Sequence, residues 1–209
     1  MIEAIFIIIF AYLIGAIPSG YIIGKCHGID IRTVGSCNTG ATNVTRCISK
    51  KAGVLCFFCD FLKGALPVLI AAHFSPLAWL KIAAFAAAVA GHMFPVYLKF
   101  KGGKGVATAA GGAFAIAPLP LIAALLVWYV VFRISRYVSL ASIVAAVALP
   151  LGALALCLGF DPVKAHFLLR VQWVTVIAFA LIGALAVYRH RSNIVRLLNG
   201  TESRFEKKK

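Results

Sequence analysis

Long apolar runs alternate with short polar stretches along the whole chain. Several runs approach or exceed the roughly 20 apolar residues with which a helix crosses the hydrocarbon core of a bilayer. The pattern predicts membrane segments over residues 4–24, 53–74, 78–98, 106–117, 121–132, 140–158 and 171–188. Pro18-Ser19-Gly20 is expected to loosen or kink the first. The fourth runs for only about a dozen residues before Pro118-Leu119-Pro120, which is short for a full crossing. One bent helix over 106–132 is the alternative there. The expected fold is an all-α integral membrane protein with seven membrane helices, one of them short. It would form a single polytopic domain over 1–209, with 190–209 as a basic tail that starts in a short interfacial helix.

Composition strengthens this reading. Of 209 residues, 62% are hydrophobic, and the mean hydropathy is +0.97. Soluble domains are only about half apolar. The first ten residues carry Glu3 and no cation, whereas a secretory signal needs a basic start, so they read as a retained span. A net charge of +15 invites a nucleic-acid reading, but no soluble domain is large enough to carry one.

Charge distribution sets the expected orientation. Cytoplasmic loops collect Lys and Arg. An outside N-terminus and a cytoplasmic C-terminus leave Lys81, Lys164 and Arg170 outside and Lys63 within a span. The rest of the 21 Lys and Arg then lie inside. The polar clusters below are expected to face the cytoplasm. Cys56-Phe57-Phe58-Cys59 is formally a CxxC, but it lies in an apolar run without a second pair or a neighbouring His, so it reads as ordinary span residues. No metal site and no cofactor are expected.

Four polar clusters fall on this same side. Val34–Arg46 contains Gly, Ser, Asn and Thr in abundance, one Arg and no carboxylate. Its N–H groups, hydroxyls and amides can surround an anion, and Arg46 can fork two phosphate oxygens. In Lys99–Gly105, glycines permit close backbone approach while Lys101 and Lys104 supply point charges; a plain basic surface turn is the other reading. His190 and Asn193, three residues apart, can face one ligand from a helix. Ser139 and Ser142 read as helix caps or as site residues. In the second span, Asp60 and Lys63 share a face, as a structural pair or as part of a site.

Acids are scarce, at six Asp and Glu in all. Paired carboxylates for acid–base work are absent near these clusters, as are an H-x4-D charge relay and a G-x-S-x-G elbow. Chemistry here would have to run on anion binding and orientation, with a substrate that is already activated.

These residues carry a resemblance. GSCNTGATN with Arg46, GHMFPVYLKFKGGKG and RHRSNIVRLLNGTE, with DFLKG at Asp60–Gly64 and RYVSLAS at Arg136–Ser142, make the chain similar nearly end to end to the bacterial acyl-phosphate:glycerol-3-phosphate acyltransferase family, PlsY. One departure is visible: the family usually reads GSGN, and Cys37 stands where the second Gly would be. If that position needs φ > 0, Cys strains it, and a tolerated conformation is expected.

The resemblance implies a seven-helix membrane enzyme that transfers a fatty acyl group from acyl phosphate to the 1-hydroxyl of sn-glycerol 3-phosphate, giving lysophosphatidic acid and phosphate. A partner enzyme, PlsX, would make the donor. The resemblance places Ser36, Arg46 and Lys104 on phosphate groups, with Lys101 beside them. Gly40, Thr42, Asn43, Gly102, Gly103 and Gly105 would hold acyl phosphate. Ser142, His190 and Asn193 would orient the glycerol end, and Glu202 would be structural. No protein base is implied; phosphate would take the proton. A transporter of a phosphorylated anion is the competing reading, since a basic cluster and a proline-broken helix pair fit it as well.

Overall fold

The computed structural model describes residues 2–160, 166, 169 and 171–205. Most of the expected outer loop at 159–166, with Lys164 and Arg170, and the last residues of the basic tail, 206–209, lie outside the described residues. All regular structure among the described residues is helical, in two compact units, Met1–Ile116 and Ala117–Lys209.

The first unit begins with α1 (Ile2–Ala16) and α2 (Ser19–Cys26), one apolar span interrupted at Ile17-Pro18. Proline cannot donate to the helix ladder, so the expected kink is a break. The short α3 (Ala41–Cys47) follows a loop. Helix α4 (Lys50–Phe74) starts under a Ser49 cap, whose hydroxyl accepts the Ala52 N–H at 3.1 Å. Helix α5 (Ala78–Met93), a 3₁₀ turn at Val96–Leu98 and α6 (Val106–Ile116) complete the unit.

Small residues set the packing of these helices. At Gly15 on α1, a Cβ would lie 2.1 Å from the Ala88 carbonyl oxygen of α5. At Gly64 on α4 it would lie 2.0 Å from the Thr108 oxygen of α6, and at Gly111 on α6, 1.9 Å from the Phe61 oxygen. Within lipid, such close backbone approach replaces the hydrophobic drive as the source of helix association.

The second unit holds α7 (Pro118–Ser135), α8 (Val138–Gly159), α9 (Trp173–Arg189) and α10 (Arg191–Leu198). Helix α7 packs on α8 and α8 on α9. The helix of the first unit stops at Ile116 and α7 starts at Pro118, so 106–132 is not one continuous helix. α10 bends 56° from α9.

Five helical segments are long and apolar enough to cross a membrane, and the α9–α10 pair would make a sixth. Helix α6, with 11 residues, is too short to cross about 30 Å of hydrocarbon by itself. The expectation that Ser139 and Ser142 cap a helix is corrected. Helix α8 starts at Val138 behind Tyr137, which places both serines inside it. Arg136 at φ 64° ends α7 and forces that short turn.

Candidate active site

The loop between α2 and α3 is built around one side chain. Asn43 is 1% exposed. Its amide nitrogen donates to the carbonyls of Ile31 (3.0 Å), Val34 (3.1 Å) and Asn38 (3.0 Å), and its oxygen accepts the Ser36 N–H at 2.8 Å. A buried amide satisfied in this way fixes the backbone around it. Gly35, at φ 60°, must lack a side chain, since a Cβ would fall 2.4 Å from Asn43 Oδ1. Cys37 takes φ 56°, so the strain expected for a residue other than glycine is present. Gly40 donates to Asn38 Oδ1 at 2.9 Å and opens α3.

Ser36 stands exposed at the tip of this loop; Thr42 in the first turn of α3 and Arg46 in its last are half-buried. Asp30 is held by Arg32 through three hydrogen bonds of 2.7 to 3.1 Å. The Arg32 guanidinium first, then its N–H, keep that carboxyl far below the usual range. The acid is thereby occupied as a partner of Arg32.

The second loop rests on the end of α5. Lys99 and Phe100 both take positive φ, 52° and 61°. Lys101 is exposed and Lys104 half-buried. The glycines have a reason internal to the protein. A Cβ on Gly102 would lie 2.2 Å from the His92 carbonyl oxygen, and one on Gly103 would lie 2.1 Å from His92 Nε2. Gly105 has φ 78° and faces Met93. The close approach expected of these glycines toward a ligand is thus made, in part, toward His92.

Behind both loops, Thr39, Ser19, Asp60, Lys63 and His92 line a small cavity of the first unit. Lys63 Nζ lies 2.8 Å from Asp60 Oδ1, out of line for a hydrogen bond, and the two are held by charge. The pattern of the sequence announced this pair but not its neighbours His92 and Thr108. The histidine in the last turn of an apolar helix is the available signal.

In the second unit, Glu202 gathers the polar residues. Its Oε1 accepts from Ser139 Oγ and Asn193 Nδ2, both at 2.7 Å, and its Oε2 from Arg196 Nε at 2.7 Å. Burial pushes this carboxyl up, but the three donors and the Arg196 charge more than offset it and leave it below the usual value. His190 was expected to share one helix with Asn193. It instead forms the junction, closing α9 and opening α10. Its Nδ1 lies 2.7 Å from the Ala186 carbonyl oxygen. A carbonyl only accepts, so Nδ1 carries the proton. Ser142 accepts from Trp128 Nε1 at 3.2 Å, a partner the sequence did not indicate.

The ten predicted residues Ser36, Gly40, Thr42, Asn43, Arg46, Lys101, Gly102, Gly103, Lys104 and Gly105 lie in the first unit, whereas Ser142, His190, Asn193 and Glu202 lie in the second. Among the described residues, no group of His, Cys, Asp and Glu is arranged to hold a metal ion. The arrangement suits anion binding by cations, hydroxyls and N–H groups. In the first unit, Asp30 is engaged by Arg32 and Asp60 by Lys63.

Residues 5–200 match the family model described as glycerol-3-phosphate acyltransferase. The glycerol-3-phosphate acyltransferase of Aquifex aeolicus is 50% identical over 97% of this chain and 100% of its own length. That of Trichlorobacter lovleyi is 45% identical over 99% of this chain and 100% of its own. Two crystal structures of PlsY (YgiH), an integral membrane glycerol 3-phosphate acyltransferase, are also similar. Its glycerol 3-phosphate form has a TM-score of 0.87 at 47% identity, covering 98% of this chain and 96% of that one. Its lysophosphatidic acid form has a TM-score of 0.85 at 46% identity, with the same coverage.

Proposed function

The chain belongs to the glycerol-3-phosphate acyltransferase family and is a membrane enzyme of the PlsY type, and from that premise we propose that its acyl donor is acyl phosphate. The 1-hydroxyl of sn-glycerol 3-phosphate attacks the acyl carbonyl carbon. The bond from that carbon to the phosphate oxygen breaks, and the hydroxyl proton goes to the departing phosphate. The products are lysophosphatidic acid and inorganic phosphate. The solved relative in its glycerol 3-phosphate and lysophosphatidic acid forms supports this choice of acceptor and product.

One observation carries the donor assignment. Asp30 is bonded to Arg32, Asp60 is paired with Lys63, and Glu202 is held by three donors. With these acids engaged, the acceptor hydroxyl has no carboxylate base at hand among them. An acyl phosphate is a mixed anhydride with a good leaving group and needs none. Arg46, Lys101 and Lys104 offset the repulsion between two anionic substrates and stabilise charge on the departing phosphate. Ser36 adds its hydroxyl, its N–H being held by Asn43 Oδ1. The Thr42 hydroxyl and the Gly102 and Gly105 backbone hold the acyl phosphate, while Gly40, Gly103 and Asn43, bonded within the protein, act by fixing the two loops. Ser142, His190 and Asn193 orient the glycerol end, and positioning supplies the remainder of the rate.

Seven membrane segments with the short α6, an outside N-terminus and a cytoplasmic C-terminus put this chemistry at the cytoplasmic face of a bacterial inner membrane. The basic loops support that orientation. The whole chain serves as one functional domain with a basic tail, and its donor comes from a PlsX-type enzyme. Arg46→Ala and Lys104→Ala test the reading. Each should lower kcat by about 10²- to 10³-fold, as the loss of a group that stabilises transition-state charge does, while the protein stays monodisperse in detergent. Full activity in either variant would remove that residue from the phosphate site.

A further inference from the structure

Four buried polar groups have no part in that chemistry. They are Asp60 (2% exposed) and Lys63 (6%) on α4, His92 near the end of α5 and Thr108 on α6. Ionisable side chains within membrane helices are costly and mark function. A buried ion pair is weak evidence of stability, because apolar residues of similar volume often serve as well.

The four form a chain of contacts. Lys63 Nζ pairs with Asp60 Oδ1 and donates to the Ile17 carbonyl oxygen at 2.7 Å, at the break between α1 and α2. Asp60 Oδ1 lies 3.7 Å from His92 Nδ1. That nitrogen shares a hydrogen bond with Thr108 Oγ1 at 3.1 Å. On its other side, His92 meets the glycine loop. Its carbonyl oxygen accepts the Gly103 N–H at 3.1 Å, and its ring fills the space that a Gly103 side chain would need. His92 therefore has the Lys101–Gly105 loop on one side and polar groups from two other helices on the other.

We propose that Asp60, Lys63 and Thr108 are positioning residues for acyl transfer: they hold the His92 ring, and through it the Lys101–Gly105 loop, so that Lys104 presents its charge at one fixed place. The inference rests on the assignment of Lys104 to a phosphate. The apolar setting suits such a strut, because a hydrogen bond there has little water to compete with it. The same cavity touches Thr39, so the network also backs the loop that carries Ser36. A misplacement of about 1 Å in a catalytic group can cost about 10²-fold in rate, which gives a remote network a measurable effect.

Thr108→Val, Thr108→Ser and His92→Gln test this in the purified full chain in detergent, by steady-state kinetics and by amide hydrogen exchange over residues 99–105. Thr108→Val keeps the side-chain volume and removes the hydroxyl. It should speed exchange in that loop by about tenfold, the scale of one hydrogen bond, and leave exchange in α4 unchanged. It should lower kcat by about 10- to 100-fold with KM nearly constant, the mark of an interaction made in the transition state. His92→Gln should act in the same direction. Thr108→Ser should restore both readings. Loop exchange and kcat at wild-type levels in both disruptive variants would overturn the proposal. So would a uniform rise in exchange that includes α4, or failure of Thr108→Ser to rescue. If the wild-type chain transfers no acyl group, the Lys104 assignment fails, and exchange alone still decides whether the network holds the loop.

Discussion

Cys37 shows how a single residue can be read at both levels. The departure from the family pattern at this position raises the question of backbone sign, and φ 56° answers it. A side chain with a Cβ in the left-handed region costs about 1–2 kcal/mol. Cys37→Gly should therefore raise stability by about 1 kcal/mol, since part of that gain is lost to the greater freedom of glycine in the unfolded chain. Thermal unfolding in detergent reads the change, and a lower midpoint would show that the thiol has a stabilising contact. Glu202 gives a second prediction at this scale. Its carboxyl titrates below its ordinary value of 4.5 in the folded protein. Its ionised form then stabilises the fold at pH above 4.5, and that contribution fades as pH falls through the lower folded value. The difference in unfolding midpoint between wild type and Glu202→Gln should be large at pH 7 and shrink progressively below pH 4.5. A difference that is constant with pH would contradict the assigned charge.

At the scale of elements, α4 and α6 depend on the absence of side chains at Gly64 and Gly111. Adding a methyl at Gly64 places it against a backbone carbonyl, which cannot swing aside as a flexible side chain can. Gly64→Ala should destabilise by about 1–3 kcal/mol, the cost of overpacking, and a neutral effect would mean that α6 shifts freely. Helix positions were largely legible in the pattern of apolar runs, because a membrane segment must satisfy its backbone internally and so declares itself by length. The ends were less legible. Helix α7 starts at Pro118 and not near residue 121, because proline is tolerated in a first turn. Ser139 lies inside α8 and bonds to Glu202, 63 positions further on. Capping rules are local and cannot anticipate a partner so distant in sequence.

For the molecule as a whole, motif composition singles out both cationic loops and the polar end of the chain as candidates. It did not separate residues that face a ligand from residues that hold the backbone. Asn43 and the Gly102–Gly105 backbone look like ligand contacts in sequence, yet Asn43 ties four points of its own loop, Gly102 and Gly103 pack on His92, and Gly105 packs on Met93. Only a buried position and a saturated hydrogen-bond set distinguish the two, and neither is encoded locally. The family assignment, the helical membrane architecture and the engagement of Asp30, Asp60 and Glu202 by basic, amide or hydroxyl partners then bear on the proposal that the acyl donor is acyl phosphate. The direct measurement gives the purified chain glycerol 3-phosphate with either acyl phosphate or acyl-CoA and quantifies lysophosphatidic acid and inorganic phosphate. With acyl phosphate, equal amounts of both products are expected, and with acyl-CoA no lysophosphatidic acid; turnover of acyl-CoA at a comparable rate would overturn the donor assignment.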